Sequence, residues 1–371
     1  MTYVLGVQKR FKTPGGIVPI SAIFSDLMVT KKDLRTGMID SSRMALKTDL
    51  LFEGCIFGMS GHEPSGRRFI IDFKKQIKTS NSIKTNWELF QDYIRSKPAT
   101  SRSDSFELIL SYRGDGFPLF YVYDSYRRSL VSRLEQEISI GSGKEVLDPL
   151  VDEFVTERES KIIDDFIQEG IRGGRKALTD YFYFLSLWLT EVSMGFEVSQ
   201  LEKYGVGGVF SFYIQTPFDE RRQEPSVYVL HWPDIQNNTV YSYSYRLLFI
   251  DDFLVVLLHS RPRPQVIYPL FNPRYSGPLT EAELDRIDEG ILRRAYEKQE
   301  YFFCGFGFAD PDFRGRFICH ISPHGDHLAI NSDGEIDKKY QGMLDYLIDR
   351  ALEKSKQSAE TTADNIKSET E

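Results

Sequence analysis

The chain has 371 residues, 41% of them apolar and 13% aromatic, enough to build one large domain or two of ordinary size. Its formal net charge of −8 argues against a general attraction to nucleic acid. No run of about 18 apolar residues offers a membrane span, and three cysteines (Cys55, Cys304, Cys319) suit a reducing compartment better than a disulfide framework.

The opening MTYVLGVQKR lacks the charged-then-apolar build of a signal peptide, so a soluble cytoplasmic protein is expected. TYVLGVQ alternates and is rich in β-formers, and a turn at Pro14-Gly15-Gly16 leads to a second strand within GIVPISAIFSDLMVT. LLFEGCIFGMSG reads as a third strand, ended by its glycines. From Arg67 to about Ser96, Phe69, Ile70, Phe73 and Ile77, then Trp87, Phe90 and Ile94, recur at helical spacing. SFELILSYR and FPLFYVYDS flank Gly114-Asp115-Gly116, a hairpin signal. EISI predicts another strand, after which Gly141-Ser142-Gly143 opens a helix carrying Val146, Leu147, Leu150 and Val151. A helix over 176–192 and a strand in GVGGVFSFYIQT follow. Strands interleaved with helix pairs predict a layered α+β domain.

Past Thr216 the charged cluster DERRQEP marks a change. A second β-rich region follows, with PSVYVLHW and YSYSYRLLFIDDFLVVLLHS, then an amphipathic helix over 280–297 opened by a Thr280/Glu283 capping box. A strand pair near 301–320 and a helix over 338–352 are expected to close it. The polar stretch 354–371 has too few apolar residues to order itself. The expected organisation is therefore a domain over 2–216, an α+β extension over 217–353 and a disordered tail over 354–371.

GSGK at 141–144 invites a phosphate-loop reading, but the first glycine of that motif would fall on Ile138 and its hydroxyl on Glu145. The other end of the chain offers different chemistry. Thr2 follows the initiator Met, and small side chains there allow Met removal. An N-terminal threonine carries a nucleophilic hydroxyl and an α-amine that titrates near about 8, so one residue can be nucleophile and general base. Asp26 ends the second strand, Lys47 precedes the third, and Ser142 sits in a strand-to-helix turn.

Taken in order, Thr2, Ser25-Asp26, Lys47, FGMSG (57–61) and IGSGKE (140–145) resemble the motifs of the proteasome-type N-terminal nucleophile (Ntn) hydrolases: proteasome β subunits, HslV and especially Anbu. The resemblance spans roughly 2–216 and implies a four-layer αββα sandwich, with the mixed α+β extension packed on it. It implies Thr2 as nucleophile and Lys47 as the cation that lowers the proton affinity of its amine and hydroxyl. Asp26 would orient Lys47, and Ser142 would hydrogen-bond near the amine. A turn at 57–61 and an oxyanion-binding N–H in the loop after Lys47 are also implied. No cofactor and no metal are implied. A peptide or protein substrate and a homo-oligomer are, and the extension could bind a further, unknown partner. The alternative is a non-catalytic proteasome-like scaffold or regulatory subunit in which Asp26 and Lys47 are a structural ion pair. The sequence departs from the family pattern in a charged stretch between Thr30 and Met44, and in its long C-terminal region. For the family's later Asp/Ser pair it offers only Glu191, Ser193 and Glu197.

Other signals have plainer readings. CHISPHGDH gathers Cys319, His320, His324, Asp326 and His327 without the spacing of a common zinc finger, and reads as a solvated turn. CGFGFADP (304–311) imitates an RNA-recognition strand but has Cys304 where a cation is needed and Pro311 where an aromatic is. GIRGGRK (170–176) reads as an exposed turn, and the YSYSYR aromatics as one face of an alternating strand.

Overall fold

The computed structural model describes residues 3–13, 16–32, 39–78, 80–114, 118–149, 151–152, 209–217, 219–222, 226–234, 239–258, 265–272, 281–297 and 317–320, with helical positions 182, 185, 186, 189 and 190. The fold is α+β, built largely on antiparallel sheets. The chain divides into two compact units, 1–223 with 268–279, and 224–267 with 280–371.

In the first unit β1 (Tyr3–Thr13) and β2 (Gly16–Asp26) form a long antiparallel pair, with Val4 opposite Ser25 and Thr13 opposite Gly16. In the charged stretch that follows, β3 (Met28–Lys32) pairs antiparallel with β4 (Ile39–Leu46), bulged between Val29 and Lys31. The single strand expected in LLFEGCIFGMSG is two: β5 (Thr48–Phe52) and β6 (Cys55–Gly61). Gly54, at φ +86°, makes the reversal between them, a conformation that costs other residues but not glycine. FGMSG accordingly lies inside β6 and is not a turn.

Helices α1 (Glu63–Lys74) and α2 (Ile83–Ser96) follow, then β7 (Phe106–Arg113), β8 (Pro118–Asp124), β9 (Ser129–Arg133), β10 (Glu137–Gly141), β11 (Phe210–Gln215) and β12 (Glu220–Arg222). Pro64 opens α1 at a position where the missing N–H costs nothing. The Ser82 hydroxyl caps α2 by accepting the Thr85 N–H at 3.1 Å. One sheet has the order β10-β1-β2-β11-β12 and the other β5-β6-β7-β8-β9.

Strand alternation decides which side chains meet. From β6 and β7, Ile56 and Ile109 pack with Val4, Ile23, Ile140 and Tyr213 of the first sheet, joined by Phe120. The intervening Phe57, Met59, Leu108, Leu110 and Tyr112 face a second cluster with Phe69, Phe73, Trp87 and Phe90 of the helices. Trp87 stacks on Tyr112 at 4.2 Å between ring centres. Each fully buried side chain of this size contributes about 1.5–3 kcal/mol. Gly58 allows the sheets to approach, since a Cβ there would lie 2.5 Å from Val4 Cγ1. On the other face of β2, Phe24 packs against Phe212 and the helical residue Phe182, at 5.2 and 6.2 Å between centres.

The second unit holds β13 (Ser226–Asp234), β14 (Thr239–Ile250), β15 (Phe253–Leu258) and the start of β16 (Gln265–Pro269). It also holds α3 (Glu281–Glu297) and β17 (Phe317–His320). The strands run antiparallel in the order β17-β13-β14-β15-β16. Asp251, at φ +52°, turns β14 into β15 and pairs with Arg294 of α3 at 2.6 Å. The last two residues of β16, Tyr268 and Pro269, belong to the first unit and pair in parallel with Ala45 and Leu46. Phe271 then packs edge-on to Phe57, 4.7 Å between centres.

Candidate active site

Asp26 is the last residue of β2 and Lys47 is the single residue between β4 and β5. Main-chain bonds fix both. Leu27 N–H donates to the Val209 carbonyl at 3.2 Å, Ala45 N–H to the Leu27 carbonyl at 2.9 Å, and Met59 N–H to the Lys47 carbonyl at 3.0 Å. The Lys47 ammonium therefore reaches Asp26 Oδ1 at 3.1 Å, with the two side chains 4% and 0% exposed. The same oxygen accepts the backbone N–H of Tyr3 at 3.0 Å. A buried carboxylate thus joins a buried cation to the main chain next to Thr2, by two charge-assisted bonds. Burial pulls the Lys47 ammonium below its ordinary value, and the charge and hydrogen bond of Asp26 work against that shift. β5 starts at Thr48, so the residue after Lys47 is already strand and not loop.

Ser142 is half-buried in the turn that follows β10, and Gly141, at φ +101°, pairs with Tyr3 across the β1–β10 ladder. From that turn residues 144–149 are helical, with Leu147 N–H closing on the Gly143 carbonyl at 2.9 Å. The glycines therefore serve a strand-to-helix reversal beside the start of the chain. Thr2 lies outside the described residues, as do Glu191, Ser193 and Glu197. Of the expected set, Asp26 and Lys47 touch, and Ser142 follows the ladder partner of Tyr3.

Several contacts were not anticipated. Phe210, the ladder partner of Asp26, is held on both sides of its peptide. Thr190 Oγ1 accepts its N–H at 3.0 Å, and the Ser186 hydroxyl donates to its carbonyl at 3.0 Å. The signal available was a pair of hydroxyls four apart on a helical stretch. Tyr3 is buried, and its hydroxyl donates to Asp148 Oδ1 at 2.9 Å. Burial, and then the Asp148 charge, push its phenol well above the usual range. Between the sheets Ser111 donates to Gln215 Oε1 at 2.7 Å and bonds Ser21 at 2.7 Å. Nearby, Arg113 pairs with Glu220 at 2.9 Å.

Ser65 Oγ and Asp104 Oδ1 both approach Nδ1 of His62, at 2.8 and 3.9 Å, so the ring cannot pass a proton from one to the other. Cys319 and His320 lie in β17 opposite Val229 and Tyr228, while His324, Asp326 and His327 fall outside the described residues. Among the described residues no group of three or more His, Cys, Asp and Glu could hold a metal ion, and no helix is long and apolar enough to cross a membrane. The segments 304–311 and 170–176 also lie outside them.

No family model and no curated protein matches the sequence. Among solved structures the chain is similar to an Anbu (Gly-1) mutant from Hyphomicrobium sp. strain MC1, with 12% identity over 60% of this chain and 88% of that one. The TM-score is 0.35.

Proposed function

We propose that the chain is a proteasome-like N-terminal threonine amide hydrolase, a peptidase acting through an acyl-enzyme on Thr2. Its first unit would be a four-layer αββα Ntn sandwich. The observation that carries this reading is the shared oxygen of Asp26, which binds the Lys47 ammonium and the N–H of the residue bonded to Thr2. A buried cation is thereby tied to the first strand at the point where an N-terminal nucleophile would begin.

Once Met1 is removed, the Thr2 hydroxyl attacks the substrate carbonyl carbon and its proton passes to the neutral α-amine, directly or through water. The C–N bond breaks, the α-ammonium returns that proton to the leaving amine, and an ester remains on Thr2. Water then attacks the ester, and its proton takes the same route before the acid leaves. The Lys47 charge favours the neutral amine and the alkoxide-like hydroxyl by repelling a proton from both. Asp26 keeps Lys47 charged and aimed, and Ser142 assists at the amine. The substrate is a peptide or protein, and the working form is a homo-oligomer that encloses the nucleophile.

The test compares wild type, Thr2→Ala and Lys47→Ala with an epoxyketone or β-lactone, electrophiles directed at N-terminal threonine. Labelling of wild type should vanish in Thr2→Ala and slow by roughly 10²-fold or more in Lys47→Ala. Equal labelling of wild type and Thr2→Ala would leave the scaffold reading.

A further inference from the structure

Tyr3 is fastened at both ends. Its main chain donates to Asp26 and its hydroxyl to Asp148, while its ring lies edge-on to Phe210 at 6.3 Å between centres. Asp148 has a second partner, because the Ser139 hydroxyl donates to its other oxygen at 2.7 Å. Ser139 belongs to β10, and Asp148 to the helical turn just beyond Gly141-Ser142-Gly143. One carboxylate therefore clamps three pieces together: the strand that begins next to Thr2, the strand that ends at the glycine turn, and the helix that leaves it. The reversal carrying Ser142 lies between the two anchor points, Ser139 and Asp148.

We propose that Asp148 is a positioning residue, which through Tyr3 sets the distance between Thr2 and the Ser142 turn. The inference rests on the threonine-hydrolase reading above. A phenol bonded to a carboxylate is a short, directional, charge-assisted contact, and Tyr3 has little room to move around it because its side chain is wholly buried. Losing the clamp frees the residue next to the nucleophile to shift by a fraction of a side-chain length. Displacements of about 1 Å at a reacting group cost on the order of 10²-fold in rate.

The experiment measures β-lactone labelling of full-length protein as a function of probe concentration, after mass spectrometry shows that Met1 is absent from every variant. Tyr3→Phe removes one hydroxyl and Asp148→Ala removes the acceptor. Each should lower the maximal labelling rate constant by roughly tenfold or more, with the half-saturating probe concentration and the final labelled fraction unchanged. The double variant should be no slower than the worse single one, because both break the same bond. Asp148→Asn, which keeps an acceptor oxygen for Tyr3, should recover part of the rate. If the residues served folding alone, the labelled fraction would fall and the rate constant would not, which would overturn the proposal. Wild-type rates in Tyr3→Phe and Asp148→Ala would overturn it too, with the hydrolase reading intact. Absence of labelling in wild type would overturn both. Should Asp148→Ala fail to fold, Tyr3→Phe with Asp148→Asn carries the test.

Discussion

Replacing Lys47 by methionine keeps the shape of a long side chain and removes its charge. Asp26, 0% exposed, then loses an ammonium that stood 3.1 Å from its Oδ1. Removing one partner of a buried pair costs about 3–5 kcal/mol, because the remaining charge stays in a medium that solvates it poorly. The Tyr3 N–H still donates to the same oxygen, which places the expected cost near the low end, about 3 kcal/mol. For a unit of this size about 1 kcal/mol moves the midpoint by roughly 2–4 °C, so Tm should fall by about 6–12 °C. Circular dichroism melts with parallel urea titrations measure it. Adding Asp26→Asn removes the buried charge and leaves an acceptor for Tyr3, so the double variant should be more stable than Lys47→Met alone. A loss below about 1 kcal/mol for Lys47→Met, or strict additivity in the double variant, would refute the coupling argued from this geometry.

Gly58→Ala should destabilise the first unit by about 1–3 kcal/mol in urea titrations, because its Cβ would sit 2.5 Å from Val4 Cγ1 and 2.7 Å from Ile23 Cγ2. Stability should decline as pH rises beyond about 10, since burial raises the phenols of Tyr3, Tyr121 and Tyr123, the last to about 12. The folded state keeps those protons while the unfolded chain loses them, so their contribution is full below the unfolded value and fades as pH passes the folded one. Lys47 acts in the opposite sense, and its effect levels off only above its ordinary value of 10.5, so alkaline urea titrations well beyond that pH isolate the tyrosines. Native mass spectrometry should find a homo-oligomer, and a monomer alone at micromolar concentration would contradict the proposed enclosure of the site.

The residues that meet at the candidate site were legible unevenly. Asp26 and Lys47 stood out because each is a charge beside an apolar strand, in an order that a known family shares, and they do touch. Asp148 does not stand out in the sequence, since the helix after Gly143 shows itself through its apolar residues and a carboxylate there looks solvated. Only the fold shows that β10 and β1 bring it beneath Tyr3. Ser186 and Thr190 were silent for the same reason: hydroxyls that serve a neighbouring backbone leave no trace in hydropathy. The β3–β4 pair was hidden by its charges, and the β5–β6 reversal by the apolar residues that flank Glu53-Gly54 on both sides. Least visible was the return of 268–279 to the first unit, where Phe271 meets Phe57 across more than two hundred residues of chain. Contacts of that separation have no local signature.

A nucleophilic Thr2 is tested most directly by the intact mass of purified wild-type protein, measured before and after exposure to a β-lactone. The expected result is a chain lacking Met1 that gains the mass of one probe, with the adduct on the N-terminal Thr2 in the fragment spectrum. A chain that retains Met1 and gains no mass, in monomer and oligomer alike, would contradict it.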